Sequence, residues 1–186
     1  MTRGRPRHRP QRLCAVGHSW GMSTTVTYTQ RFEAPPEDVW TMLTDPEYIT
    51  TKGMRSGSLE VNPEVAEQGS QTLVISRRRL PAKMPRFMQR FVGEELILNE
   101  TQVWDAAAAD GAREGTFVID FGGQPMAFRG SLLLQPAGDG TELTTDGSLK
   151  ASVPMIGGKA EAVAKEWTER YLRKEEQVAA DWLSAR

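Results

Sequence analysis

The chain has 186 residues, 39% of them hydrophobic, with 17 glycines and a formal net charge of −1, the profile of an ordinary folded protein rather than a self-repelling disordered one. Its longest apolar runs, such as 106–109 and 132–134, fall far short of the roughly 20 residues that span a bilayer as a helix. Cys14, His8 and His18 are the only residues of their types and all precede residue 22, so the rest of the chain has no thiol or imidazole with which to build a zinc site, a Cys/His nucleophile or a Ser/His/Asp triad.

Residues 1–21 contain Arg3, Arg5, Arg7, Arg9 and Arg12 and no acid, whereas residues 22–186 carry a net charge of −6. The acidic body is a poor electrostatic footprint for nucleic acid, so no nucleic-acid partner is expected. The basic segment lacks the apolar core of about 7–15 residues that a secretory signal needs. We read it as a disordered extension upstream of a natural start at Met22, followed by one domain over 22–186. A lone cysteine fits a reducing, cytoplasmic setting.

From Thr24 to Glu33, Val26, Tyr28 and Phe32 alternate with threonines and Arg31, the period of a half-buried strand. Pro35 and Pro36 stop it and suit a helix start, Glu37 and Asp38 favour the helix's positive end, and Val39, Trp40 and Leu43 supply an apolar face over 36–44. Asp45 caps a second short helix over 47–51. Six strands are then predicted, at 58–62, 70–79, 94–104, 115–121, 126–135 and 141–153. Turn residues at Asp110–Gly111, Gly122–Gly123 and Asp139–Gly140 divide several of them. In the last strand Leu143, Thr145, Gly147, Leu149, Ala151 and Val153 share one face. Lys159 to Arg186 contains no Gly or Pro and reads as one long helix, with Ala160, Val163, Ala164, Trp167, Tyr171, Val178 and Trp182 in a stripe and charged residues over most of the rest.

Several short patterns carry no function. Gly158–Lys159 lacks both the first glycine and the Ser or Thr of a phosphate loop, and Asn99–Glu100–Thr101 is a glycosylation triplet inside a strand. Among the carboxylates, alternation sends Asp120 to solvent if Phe117, Ile119 and Phe121 face inward, whereas Glu100 and Gln102 point inward if Trp104 does. A buried Glu100 is the acid most worth testing.

Residues 77–90, RRRLPAKMPRFMQR, hold six bases and no acid. They read in two ways. One is a cavity lid in which Phe87, Met88 and Phe91 cover the ligand while Arg86 and Arg90 meet an anionic head group or an anionic membrane surface. The other is a loop whose aromatics pack on the core and whose arginines pair with Glu94, Glu95 and other acids.

The order of strand, two short helices, six-strand meander and long helix resembles the START-like, or SRPBCC, helix-grip superfamily. FEAPPEDVWTMLTDPEYIT is similar to that superfamily's opening. VPMIGGKAE, LPAKMPRFMQRFVG and the WL near the end resemble an uncharacterised actinobacterial branch of it. The resemblance covers residues 23–184 and implies an α+β fold, a seven-stranded antiparallel sheet wrapped around the C-terminal helix with a cavity between them. It supplies no catalytic residue. The expected function is therefore non-catalytic binding or transport of a hydrophobic or amphipathic small molecule, lipid or polyketide-like, without cofactor or metal. The alternatives are a cyclase/aromatase- or hydrolase-like enzyme using the same cavity, and a protein-interaction module with a filled core. The expected cavity and lid residues are Phe87, Met88, Phe91, Trp104, Phe117, Ile119, Met126, Phe128, Leu149, Met155, Trp167 and Tyr171.

Overall fold

A computed structural model of the chain describes residues 23–82, 85, 87 and 93–185. In chain order its elements are β1 (Thr24–Phe32), α1 (Pro36–Leu43), α2 (Pro46–Arg55), β2 (Glu60–Gln68), β3 (Gln71–Pro81), β4 (Glu95–Trp104), β5 (Arg113–Asp120), β6 (Met126–Ala137), β7 (Gly140–Ala151) and α3 (Gly157–Ser184). The strands form one antiparallel sheet in the order β1-β7-β6-β5-β4-β3-β2, so that the first strand closes against the last. The helix α3 packs on β1 and β7 and meets α2.

Two elements run further than their local chemistry suggests. Pro63 marks the expected end of a strand at residue 62, yet β2 continues through it to Gln68, because β2 is an edge strand paired only with β3 and its missing N–H can face away from the ladder. The helix α2 extends past Thr51 to Arg55 through Gly53, where a Cβ would sit 2.6 Å from Val61 Cγ2, so glycine lets the helix lie close on β2. Asp45 caps its start by accepting the Glu47 N–H at 2.8 Å. The β6–β7 hairpin turns one residue earlier than expected, on Gly138–Asp139. Gly138 takes φ 61°, as the first central residue of a type II′ turn requires.

The core lies between the concave face of the sheet and the helices. Val26, Trp104, Phe117, Phe128, Leu134 and Leu149 from the strands meet Val39, Tyr48 and Ile49 from α1 and α2, and Ala164, Val178 and Ala179 from α3. Two glycines make room for its rings. Gly115 stands opposite Trp104, where a Cβ would come within 2.8 Å of the indole, and a Cβ on Gly147 would overlap Phe128 and Phe117. Those two phenylalanines pack edge to face, 4.7 Å between centroids. Among the described residues no helix is long and apolar enough to cross a membrane.

Candidate functional site

Alternation along β3 buries Thr72, Val74, Ser76 and Arg78 and leaves Gln71 and Arg77 exposed. Arg78 is therefore a strand residue facing the core, not part of a lid. Its neighbour Arg79 spans Glu60 (3.1 Å) and Glu95 (2.8 Å) at the surface. On β4 the same alternation aims Glu100, Gln102 and Trp104 inward together.

These side chains form a connected polar chain. The Trp104 Nε1–H donates to Gln102 Oε1 at 2.8 Å, and Gln102 Nε2 donates to Glu100 Oε1 at 2.6 Å. Arg78 Nη2 donates to the second oxygen of Glu100 at 3.1 Å, with the arginine side chain only 3% exposed. From the helices, Lys52 of α2 and Glu175 of α3 pair at 2.8 Å, both largely buried. The Arg78 guanidinium also stacks on Tyr171 of α3, 4.6 Å from its ring centroid.

The cluster forms one end of a cavity of about 70 Å³ between the sheet and the three helices. Ser76, Glu100, Gln102, Lys52, Tyr171 and Glu175 line that end, while Phe32, Trp104, Phe117, Ile119, Phe128 and Leu132 line an apolar floor. Arg78 lies off the wall, behind Tyr171 and Glu100. Ser76 Oγ, buried on the wall, meets no partner at hydrogen-bonding geometry, nor do Arg78 Nε and Nη1, and Tyr171 OH, which also makes no well-formed hydrogen bond, faces the Glu175 carboxylate. Unsatisfied buried groups of this kind are uncommon in a folded protein and mark a place where a bound water or ligand belongs.

Charge in the cluster is balanced. Burial opposes ionisation of Glu100, but Arg78, Lys52 and the Gln102 hydrogen bond outweigh it and hold the carboxyl below its ordinary pKa. Burial likewise opposes the charge on Arg78, and Tyr171, Glu100 and Glu175 more than restore it. The Tyr171 phenol is pushed well up by burial, with Glu175 adding to the rise and Arg78 opposing it, so it stays protonated. Among the described residues no group of three or more His, Cys, Asp or Glu is poised to hold a metal.

Of the expected cavity residues, Trp104, Phe117, Ile119, Phe128 and Tyr171 come together on the wall. Leu149 is fully buried in the core, and Met126, Trp167 and Phe87 pack half-buried against it, none of them on that wall. Met155 is a correction: its side chain is fully exposed, because the backbone turns through φ 62° between β7 and α3 and carries it outward. Met88, Phe91, Arg86 and Arg90 lie outside the described residues. Asp120 accepts from Asn99 at 2.9 Å and from the Gly122 N–H at 3.0 Å, a structural role at the β5 turn. Sequence reasoning also places Glu100 and Gln102 inward beside Trp104, as the cavity wall has them, but misses Ser76, Lys52 and Glu175. Lys52 lies one residue beyond the expected end of its helix at Thr51. Glu175 sits on the α3 stripe, four residues after Tyr171 and three before Val178, where a periodicity argument counts only apolar residues.

A family model described as a protein of unknown function, DUF2505, matches residues 27–183. The chain belongs to DUF2505. No curated protein matches it. Among solved structures this DUF2505 member is similar to TTHA0849 from Thermus thermophilus, with 20% identity and a TM-score of 0.58 over 87% of this chain and 99% of that one. It is also similar to the Zhui aromatase/cyclase from Streptomyces sp. R1128, with 15% identity and a TM-score of 0.57 over 89% and 96% of the two chains. A third, a putative uncharacterized protein from Rhizobium leguminosarum, shares 12% identity with a TM-score of 0.52 over 85% and 95%. At these identities the likeness is one of fold, the helix-grip arrangement of a seven-stranded sheet around a long C-terminal helix.

Proposed function

We propose that this DUF2505 protein is a START-like, SRPBCC-type binding protein that holds a small amphipathic molecule between its sheet and α3. The observation that carries the reading is the unpartnered buried hydroxyl of Ser76, beside a Tyr171 hydroxyl that makes no well-formed hydrogen bond to the Glu175 carboxylate it faces, on a cavity wall whose floor is Trp104, Phe117 and Phe128. An apolar floor with a few convergent polar groups is the usual chemistry of a ligand pocket. A long acyl chain suits it poorly. Ligand pockets for drug-sized molecules occupy roughly 300–1,000 Å³, so the proposed ligand is smaller than a lipid.

A catalytic reading, on the pattern of the aromatase/cyclase that shares the fold, is favoured by one observation: Tyr171 keeps its proton on the cavity wall, stacked on the Arg78 guanidinium, where its O–H can hydrogen-bond a substrate oxygen on which charge develops. Native mass spectrometry of the full chain isolated from the cells that produce it tests the binding reading. A retained small-molecule mass that disappears in a Ser76→Leu variant supports it, and conversion of that molecule on incubation decides for catalysis. A chain that is empty in every preparation and binds no small aromatic probe overturns both.

A further inference from the structure

The charges around the cavity define the kind of ligand it accepts. Its wall carries three charged groups, Lys52, Glu100 and Glu175, and Arg78 stands directly behind. Each cation is already paired with a carboxylate, Lys52 with Glu175 and Arg78 with Glu100, so the cluster is neutral as it stands. A carboxylate ligand would enter a buried space that already holds two carboxylates, with no uncommitted cation on its wall. A cationic ligand would find both acids engaged. Burying a net charge under those conditions is strongly unfavourable.

The wall groups with donor capacity to spare are hydroxyls. Tyr171, stacked on the Arg78 guanidinium, presents an O–H that keeps its proton and is only loosely held by Glu175, and Ser76 on β3 presents a second. Both are satisfied by a neutral oxygen with two lone pairs. Size narrows the apolar part. At about 70 Å³ the cavity is roughly half the apolar void of about 150 Å³ that admits benzene, so a ring enters only as the walls yield and nothing larger than a single ring fits. The edge-to-face Phe117–Phe128 pair and the Trp104 indole offer aromatic surface to receive it.

Resting on the binding function proposed above, we infer that the ligand is an uncharged, single-ring compound that presents a carbonyl-type oxygen to the Tyr171 and Ser76 hydroxyls. Fatty acids and aromatic carboxylates are thereby excluded.

The test titrates the full chain at pH 7 with acetophenone, benzoate and ethylbenzene, three probes with the same ring and a ketone, an anion or no oxygen beside it. Isothermal calorimetry supplies the affinities and amide chemical shifts check them. Acetophenone is expected to bind at least about tenfold more tightly than either of the others, the difference one well-made hydrogen bond supports. Tyr171→Phe and Ser76→Ala, each of which removes one buried hydroxyl, should cut that preference severalfold and leave ethylbenzene binding unchanged. If benzoate binds as tightly as acetophenone, or both variants keep the full ketone preference, the ligand class is wrong while the binding function stands. If none of the three probes binds up to its solubility limit, the ligand class fails, and the binding function fails with it when the isolated chain is also empty in every preparation.

Discussion

Lys52 Nζ lies 2.8 Å from Glu175 Oε1, joining α2 to α3 at the polar end of the cavity, with each side chain about nine-tenths buried. Removing one partner leaves the other charge buried and unmatched, a loss of about 3–5 kcal/mol in comparable pairs. We expect Lys52→Met to lower the urea-derived stability by that order. The double variant Lys52→Met/Glu175→Met should recover most of it, because two apolar side chains leave no charge behind. A double variant as unstable as the single one would show that the pair is not what couples the two helices.

Gly147 reads in the sequence as one more inward position of an alternating strand, but its missing side chain is what seats the Phe117–Phe128 pair. Gly147→Ala should cost about 1–3 kcal/mol through overpacking, and adding Phe128→Leu should relieve part of that cost. Thermal unfolding of the three chains checks this. An alanine variant as stable as the parent would mean the floor has slack.

Glu100 titrates below its ordinary value because Arg78, Lys52 and Gln102 together overcome the penalty of burial. A carboxylate whose folded pKa is depressed adds stability above its unfolded pKa and loses it as pH falls through the folded pKa. The parent should therefore lose stability as pH drops below about 4.5. Glu100→Gln should start lower at pH 7, with Arg78 left unmatched, and fall less steeply in that acid range, so that the two curves converge. Parallel curves in a pH series of denaturant melts would contradict the assignment.

The tryptophans separate core from periphery. Trp104 is 1% exposed, donates to Gln102 and packs edge-on to Trp40 at 5.6 Å, so Trp104→Ala should cost about 3–5 kcal/mol. Trp167, only half-buried on α3, should cost clearly less. Equal losses would place Trp167 deeper than the structure does.

The architecture is legible in the sequence because its signals are periodic or punctuating. Alternation marks β1 and β7, Pro35–Pro36 and Asp45–Pro46 open the helices, and a Gly- and Pro-free run marks α3. The aromatic floor is legible by the same alternation. The polar wall is legible only in part: Glu100, Gln102 and Tyr171 follow from alternation and the α3 stripe, whereas Ser76, Lys52 and Glu175, with Arg78 behind them, each look solvent-facing when judged by residue type alone. Arg78 sits inside a run of three arginines, and only the strand register shows that the middle one turns inward. Glu161 is hidden in the same way: it lies on the buried stripe of α3, where it accepts from Thr24 Oγ1 and from the Ala151 N–H, both at 2.9 Å, tying α3 to both closing strands.

The central claim is that the space between the sheet and α3 is the binding site. The most direct measurement is a set of intermolecular nuclear Overhauser effects between acetophenone and the isotopically labelled full chain. Contacts are expected from the probe's ring protons to Phe117, Ile119 and Phe128, and from its methyl group to residues beside Ser76 and Tyr171. Contacts confined to the outer groove beside Val103 and Leu133, or to the cleft between Met42 and Leu183, would contradict it.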